Sequence, residues 1–333
     1  MGWLGNFLGA VAGASPVDMT IVSLDNTNLP RVDEGIVADE CYIELFVESL
    51  RLKKARRFNS KFNGVVYSFV ALPRLGDTKA EIASVSKPEK LARVDSSSLD
   101  RVITVSKQMM APVPWRGGVL SLQLGLFSVK AGDVLTPVLE YVTKVSEVAG
   151  ISFVGAVRPF VPLITQGMDL IAGQKADTAI EVAIDTDLSL KKSGAFAIIA
   201  ASKASIDVTR ISLDSTDNKL LLDGSPLEEG YCVFSIRRAS EKPDFGEIPE
   251  LREKFEAVQG AIRANKRQDA QDALTAFRLA TIASPDLISA DAKRLVEKVS
   301  QRVIDAFPAG GVSQLTGAEA SKVTLGDIDL YTK

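Results

Sequence analysis

Between residues 17 and 239 the chain alternates apolar and polar residues in about ten short runs, which are separated by turn-forming residues. The clearest run covers residues 120–126, where leucine occupies every second position. A period of two places successive side chains on opposite faces of a β-strand. A parallel sheet would need helices between successive strands, and these are missing. The pattern predicts an antiparallel β-sandwich over residues 17–245, with the Pro- and Gly-containing stretch 111–118 separating two of its strands.

A long apolar segment at residues 133–174 divides these runs into two halves. Within its most apolar part, residues 148–171, the stretch 148–168 approaches the ~20 residues that a transmembrane helix needs. Arg158, Pro159 and Pro162 lie in the middle of that part. An interior proline costs a helix about 3 kcal/mol, and arginine at the bilayer centre costs at least ~2.5 kcal/mol. The segment is therefore expected to form short helices inserted in the sandwich, with insertion into a membrane as the alternative.

The composition becomes charged and helical over residues 246–308. Apolar residues recur there at spacings of three and four, which is the period of an amphipathic helix. Proline suits the first position of a helix and cannot continue one. Helices are therefore predicted to begin at Pro249, near Arg267 and after Pro285, and the last should end before Pro308.

The second of these helices resembles the second helix of a tetratricopeptide repeat. The resemblance rests on Ala273, Phe277, Ala280 and Pro285 and covers about 34 residues. The preceding helix departs from that pattern, because small residues stand where larger ones are expected at several sites. These residues are Ala257, Gly260, Ala261 and Ala264. The resemblance implies a helical hairpin of the kind that binds other proteins.

The predicted fold class is α+β: an antiparallel β-sandwich, C2-like in outline, with a helical insertion, followed by a C-terminal helical bundle or hairpin module. The outline is similar to C2 domains because short strands accompany a basic loop and acidic loops, and acidic loops can supply oxygen ligands for calcium. The loop aspartates are Asp25, Asp33, Asp185, Asp187, Asp214 and Asp217. Aspartate is common in turns for backbone reasons alone. No metal site is therefore predicted.

An apolar arm, residues 1–16, precedes the sandwich, and a polar tail, residues 309–333, follows the helices. No Lys or Arg precedes Arg31, which is unlike a signal peptide. On a helix most of the large apolar side chains of the arm would share one face. The arm is expected to dock on the body or on another subunit, or to touch a membrane. Its contact residues would be Trp3, Leu4, Phe7, Leu8 and Val11.

A loop at residues 51–61 holds six cations among eleven residues. These are Arg51, Lys53, Lys54, Arg56, Arg57 and Lys61. Near an anionic membrane each cation contributes about 1 kcal/mol, so the loop is a candidate for binding anions or lipid headgroups. Little aromatic interleaving argues against nucleic acid. The alternative is a solvated hairpin, because charge runs are usually just exposed.

The chain contains no histidine, which removes the commonest general base and the commonest metal ligand. Phosphate-binding loops and nucleophile elbows are also missing. Cys41 and Cys232 lie inside apolar runs and are expected to be buried, as in a protein of the reducing cytoplasm. The chain is thus predicted to be no enzyme and to need no cofactor.

These observations predict a non-catalytic structural or interaction protein that acts within a protein assembly, as a homo- or hetero-oligomer, through its apolar arm and helical module. The alternative is a cytoplasmic protein that binds or conditionally enters a membrane through the arm, the basic loop and residues 148–171. The net charge of −3 provides no overall attraction to nucleic acid or anionic lipid.

Overall fold

The structure is a computed structural model, and it describes residues 19–25, 27–52, 56–57, 60–74, 79–85, 102–130, 178–308 and 322–332. Within these residues the fold is α+β, with three antiparallel sheets and three α-helices near the C-terminus. The predicted mixed class and the C-terminal helical region are therefore confirmed. The insertion predicted at residues 133–174 lies outside the described residues.

Thirteen strands are described in the ranges given above. In chain order they are β1 (Thr20–Leu24), β2 (Tyr42–Arg51), β3 (Arg56–Arg57), β4 (Ser60–Pro73), β5 (Lys79–Val85), β6 (Val102–Pro114), β7 (Leu120–Lys130), β8 (Thr178–Leu188), β9 (Gly194–Ile199), β10 (Ile211–Leu213), β11 (Leu220–Leu222), β12 (Ser225–Pro226) and β13 (Tyr231–Ala239). The first sheet has the order β1-β9-β13-β2-β6. The second has the order β3-β4-β7-β8, with β5 also paired to β4, and the third has the order β10-β11-β12.

The chain divides into two compact units. The second unit comprises Val37–Tyr42, Pro112–Trp115 and the chain from Ala239 onward, and the first comprises the remaining residues. The core of the first unit gathers apolar side chains of β1, β9 and β13 with those of the third sheet. Its fully or nearly buried members include Leu24, Ala197, Ile199, Leu220, Tyr231 and Val233.

The leucines of β7 are buried as the period-two pattern predicts. The strand pairs with β4 on one side and β8 on the other, so it lies inside its sheet. Leu120, Leu122, Leu124 and Leu126 are each at most 1% exposed. Gln123, on the opposite face, is also buried. Both faces of β7 are therefore covered at its centre.

Strand β6 continues through Pro112 and Pro114, where the sequence predicts a break between strands. Proline lacks the N–H group that a ladder hydrogen bond requires, so it is tolerated mainly on edge strands. Strand β6 stands last in the order of the first sheet. That edge position explains how the strand accommodates two prolines.

Neither cysteine forms a disulfide, and both are buried, as predicted. Cys232 lies in β13 and Cys41 directly precedes β2. Burial raises the pKa of the Cys232 thiol, because an apolar surrounding disfavours the thiolate. The Cys232 side chain therefore acts as a small core residue.

The second unit contains α1 (Pro249–Arg263), α2 (Arg267–Ala283) and α3 (Ser289–Ala306). All three begin close to the positions that the sequence predicts, and α3 ends before Pro308 as predicted. Phe255 of α1 and Phe277 of α2 pack with ring centroids 6.2 Å apart. The turn between these helices contains Asn265 at φ 53°, a left-handed conformation that asparagine tolerates. Helices α1 and α2 thus form a hairpin.

The C-terminal residues 322–332 are packed within this unit. Leu325, Ile328 and Leu330 are buried. A 3-10 turn at Leu325–Asp327 approaches a second 3-10 turn at Phe245–Glu247. A Cβ atom on Gly246 would lie 2.4 Å from the Cα atom of Gly326, so only glycine at position 246 permits this approach.

Candidate functional site

The predicted contact residues of the arm, Trp3, Leu4, Phe7, Leu8 and Val11, all lie outside the described residues. Lys53 and Lys54 of the basic loop lie outside them too. The structure gives the backbone of the other cations. Arg56 is paired with Lys61 across the antiparallel contact of β3 and β4.

Arg51 is the basic-loop residue whose side chain the structure describes. It stands at the end of β2 and is half-buried. Its Nη1 atom donates a hydrogen bond to the backbone oxygen of Leu227 at 2.5 Å. The guanidinium group is therefore engaged in holding two chain segments together.

In its C-terminal half, α2 exposes an uncharged patch to solvent, and one turn earlier the exposed Asp272 lies on the same side of the helix. Leu279 is 68% exposed and Ile282 is 65% exposed. With Thr275, Ala276 and Ala283, which are also exposed, they occupy an arc of about 120° at 100° per residue. We call these five residues the α2 outer face. Such exposure is notable because both large side chains are aliphatic and lie one turn apart.

The α2 outer face was not singled out in the sequence, although a signal for it exists. The buried residues of α2 are Ala270, Phe277 and Thr281, which lie on the opposite side of the helix. Leu279 and Ile282 are therefore apolar residues outside the buried stripe. On α3, Ile304 is likewise 58% exposed.

A buried polar cluster joins α3 to the C-terminal residues. Asp291 is fully buried, and its Oδ2 atom accepts hydrogen bonds from the hydroxyls of Tyr42 at 2.7 Å and Tyr331 at 2.9 Å. Its Oδ1 atom accepts a hydrogen bond from Nη1 of Arg294 at 2.9 Å. The Tyr331 hydroxyl also accepts a hydrogen bond from the backbone N–H of Lys242 at 2.7 Å. The buried carboxylate is thus compensated by one cation and two hydroxyl donors.

Both tyrosines of this cluster are held as neutral donors. Burial, followed by the charge of Asp291, raises the pKa of Tyr42 above its ordinary value. Burial also raises the pKa of Tyr331, and the charge of Asp291 adds to that effect. A phenolate beside a buried carboxylate would be unfavourable. The cluster therefore suits a structural role better than proton transfer at neutral pH.

A pocket of about 440 Å³ adjoins this cluster. Ser240 and Glu241, which follow β13, line one part of it. Arg294 and Lys298 of α3 line another part, and Leu330–Thr332 complete the lining. The pocket therefore combines two cations, one carboxylate, three hydroxyls and an apolar surface. Its volume falls within the range of about 300–1,000 Å³ that small-molecule sites occupy.

A second polar cluster lies on the first sheet. Glu48 of β2 is fully buried and accepts hydrogen bonds from Ser235, from Nη2 of Arg237 at 2.5 Å and from Ser106 at 3.1 Å. The Arg237 guanidinium carbon lies 4.0 Å from the ring centroid of Phe46. The buried ion pair of Glu48 and Arg237 is therefore stabilised by charge, by hydrogen bonds and by a cation–π contact.

Glu44, four residues before Glu48 on β2, is paired in a similar way. It forms an ion pair with Arg31 at 2.7 Å and accepts a hydrogen bond from Gln108 at 2.8 Å. Burial raises the pKa of Glu44, and the charge of Arg31 opposes that shift. Each of the two carboxylates has its own arginine, so the pair is organised as a structural network.

The aspartates predicted to lie in loops do not converge, and two of them, Asp185 and Asp187, lie within strand β8 and not in a loop. Asp33 forms an ion pair with Lys192 at 2.5 Å, and Asp187 accepts a hydrogen bond from Ser121 at 2.6 Å. Asp214 accepts hydrogen bonds from backbone N–H groups of its own turn. Across the part of the chain that the structure describes, no group of three or more Cys, Asp or Glu side chains could hold a metal ion.

Among the described residues, none of the helices has both the length and the apolar character that crossing a membrane requires. Comparison of the chain with protein-family models, with curated proteins and with solved structures found no match.

Proposed function

We propose that the protein is a non-catalytic interaction protein that works within a protein assembly, using its helical module and its apolar arm as contact surfaces. The observation that carries the proposal is the α2 outer face, on which Leu279 and Ile282 expose about two thirds of their surface. Covering an aliphatic side chain of this size contributes about 1.5–3 kcal/mol. Two such side chains, one turn apart on a helix, therefore favour a protein partner.

The helical hairpin provides a firm support for this face. Phe277 is fully buried on the opposite side of α2 and packs against α1. A partner that covers the α2 outer face would contact a helix whose position is already fixed. The loss of conformational entropy on binding would therefore be small. This preorganisation favours recognition by side chains of one rigid helix.

We further propose that the two larger sheets form a β-sandwich, C2-like in outline, that serves as the scaffold. Support comes from side-chain proximity between β2 and β4, which belong to different sheets. A Cβ atom on Gly64 of β4 would lie 3.4 Å from Cδ1 of Leu50 and 3.7 Å from Cδ2 of Leu52. Leu50 and Leu52 are both buried, as expected for residues between packed sheets.

The proposal that the protein is not an enzyme draws support from the two polar clusters. Asp291 and Glu48 are each held by an arginine and by hydroxyl donors within the fold. A catalytic carboxylate has to reach a substrate, and these oxygens are already occupied by the fold's own groups. Both clusters therefore support a role in stability.

The proposed function can be tested by affinity purification and light scattering of the full chain. The variant L279E/I282E places two charges on the α2 outer face, and A257E/A290E places two charges on exposed positions elsewhere on the helices. We expect the wild-type protein and the control to form an oligomer or retain a specific partner, and L279E/I282E to lose it. A monodisperse wild-type monomer that retains no partner would overturn the proposal.

A further inference from the structure

We propose that the pocket beside the C-terminal residues is a binding site for an anionic group, either a phosphate or a carboxylate. The proposal does not depend on the α2 outer face, because the pocket is lined by α3, the segment after β13 and the last residues of the chain. The pocket would bind a small charged ligand, whereas the α2 outer face would make an apolar contact with a protein.

The two cations of the pocket stand one turn apart on the same side of α3. Arg294 and Lys298 are four residues apart, so their side chains are neighbours on the helix surface. Arg294 uses Nη1 to bind Asp291. Its other guanidinium N–H groups have no hydrogen-bond partner among the described residues, and Lys298 forms no ion pair with any of them. Arg294 and Lys298 thus both bring unused cationic N–H donors to the lining of the pocket.

Arginine and lysine together are well suited to an anion. A guanidinium group can offer two parallel N–H donors to a phosphate or carboxylate, and an ammonium group adds a mobile charge. The hydroxyls of Ser240 and Thr332 line the same pocket and can donate to the remaining ligand oxygens.

Two carboxylates face or approach the site, and they set its selectivity. Glu241 lines the pocket. Asp329 lies near Lys298, but its Oδ1 atom already accepts hydrogen bonds from the backbone N–H groups of Tyr331 at 2.9 Å and Thr332 at 3.0 Å. The negative charge of Asp329 is therefore partly satisfied by the backbone. Glu241 would favour a ligand that carries a donor, such as a hydroxyl or an amine, next to its anionic group.

The floor of the pocket is rigid. Leu330 is buried, and the Tyr331 hydroxyl is anchored to Asp291 and to the backbone N–H of Lys242. The same Asp291 carboxylate orients Arg294. Because one buried cluster fixes both the C-terminal wall and one cation, the site is preorganised before a ligand arrives.

The test is a titration of the isotope-labelled full chain with inorganic phosphate and, separately, with N-acetylglutamate. Saturable shifts are expected for the backbone amides of Ser240, Tyr331 and Thr332, and they should weaken as salt is added. The variant K298Q removes a cation that has no described ion-pair partner, and we expect its affinity to fall by up to about fivefold. The control K293Q, on the same helix but outside the pocket lining, should bind like wild type.

Saturable binding of either probe alone would support the proposal, and which probe binds identifies the chemical class of the anionic group. A response to phosphate only would indicate a phosphorylated ligand, and a response to N-acetylglutamate only would indicate a carboxylate such as an acidic side chain. The proposal would be overturned if neither probe gave saturable shifts at millimolar concentration, or if K298Q and K293Q bound equally well. Because purified protein and small probes are used, this result is separate from the test of the α2 outer face.

Discussion

The hydroxyl of Tyr331 lies 2.9 Å from Oδ2 of Asp291, which ties the last residues of the chain to the first turn of α3. The same carboxylate oxygen receives the Tyr42 hydroxyl. One fully buried charge therefore fastens three distant chain segments. Removal of the Asp291 carboxylate should therefore weaken the packing of all three segments.

Tyr331→Phe should destabilise the protein by about 1–3 kcal/mol, because a hydrogen bond to a buried charged group is lost and the backbone N–H of Lys242 loses its acceptor. Urea unfolding measures the effect. Thr332→Val is the matched control, because Thr332 is exposed and its described hydrogen bond uses the backbone N–H. Equal midpoints for the two variants would contradict the expected role of the tyrosine.

Gly246→Ala should destabilise the second unit by about 1–3 kcal/mol, the usual cost of overpacking. The added methyl group would overlap the backbone of Gly326, and neither backbone can yield without moving a 3-10 turn. Hydrogen exchange should show weaker protection around Leu325.

A second glycine provides a control of opposite sign. Gly260 lies inside α1, where the nearest atom to an added Cβ is 3.9 Å away. Gly260→Ala should therefore stabilise the protein by up to about 1 kcal/mol through helix propensity. If both substitutions changed stability in the same direction, the close approach of Gly246 and Gly326 would not be the cause.

Arg237→Leu should cost about 3–5 kcal/mol, because it leaves the Glu48 carboxylate buried without its cation. Adding Glu48→Leu should recover much of that loss, since the carboxylate that Arg237 compensated is then removed as well. Chemical denaturation of the two single variants and the double variant gives the coupling energy. Additive effects would show that the two residues do not act as a pair.

Glu44 should make stability depend on pH. Burial raises its folded pKa above the ordinary value of 4.5, so its contribution is fully present below that value and is lost as pH rises through the raised folded pKa. The free energy of unfolding of Glu44→Gln should lack this decline. The difference between the wild type and the variant, measured from about pH 3 to pH 7, should therefore change with pH, and a constant difference would exclude the effect.

Local periodicity was sufficient to locate many of the regular elements. The alternation of leucine in β7 and the spacing of apolar residues in α1 to α3 report directly which face is buried, because each side chain's direction follows from the backbone period. The end of strand β6 could not be predicted in this way, because Pro112 and Pro114 are tolerated only where the strand lies at the edge of its sheet. That place depends on which distant segments pair.

The polar clusters could not be found in the same way. Glu48 and Arg237 are 189 residues apart, and Asp291 meets Tyr42 across 249 residues. From the sequence alone, Glu44 and Glu48 could equally well be solvated charges on the exposed face of a strand. Only the packing of both faces of β2 converts these residues into buried partners. Exposure of the α2 outer face likewise depends on which neighbours the fold supplies.

The two prolines of β6 have a further consequence for how copies of this protein can meet. An edge strand ordinarily offers free N–H groups to which another chain can add, and this is a common route to aggregation. Pro112 and Pro114 offer none at that end of the first sheet. The sheet is thus protected against growth by strand addition along that stretch. A partner that meets this stretch of β6 would have to contact side chains, because its backbone there offers no N–H donor at either proline.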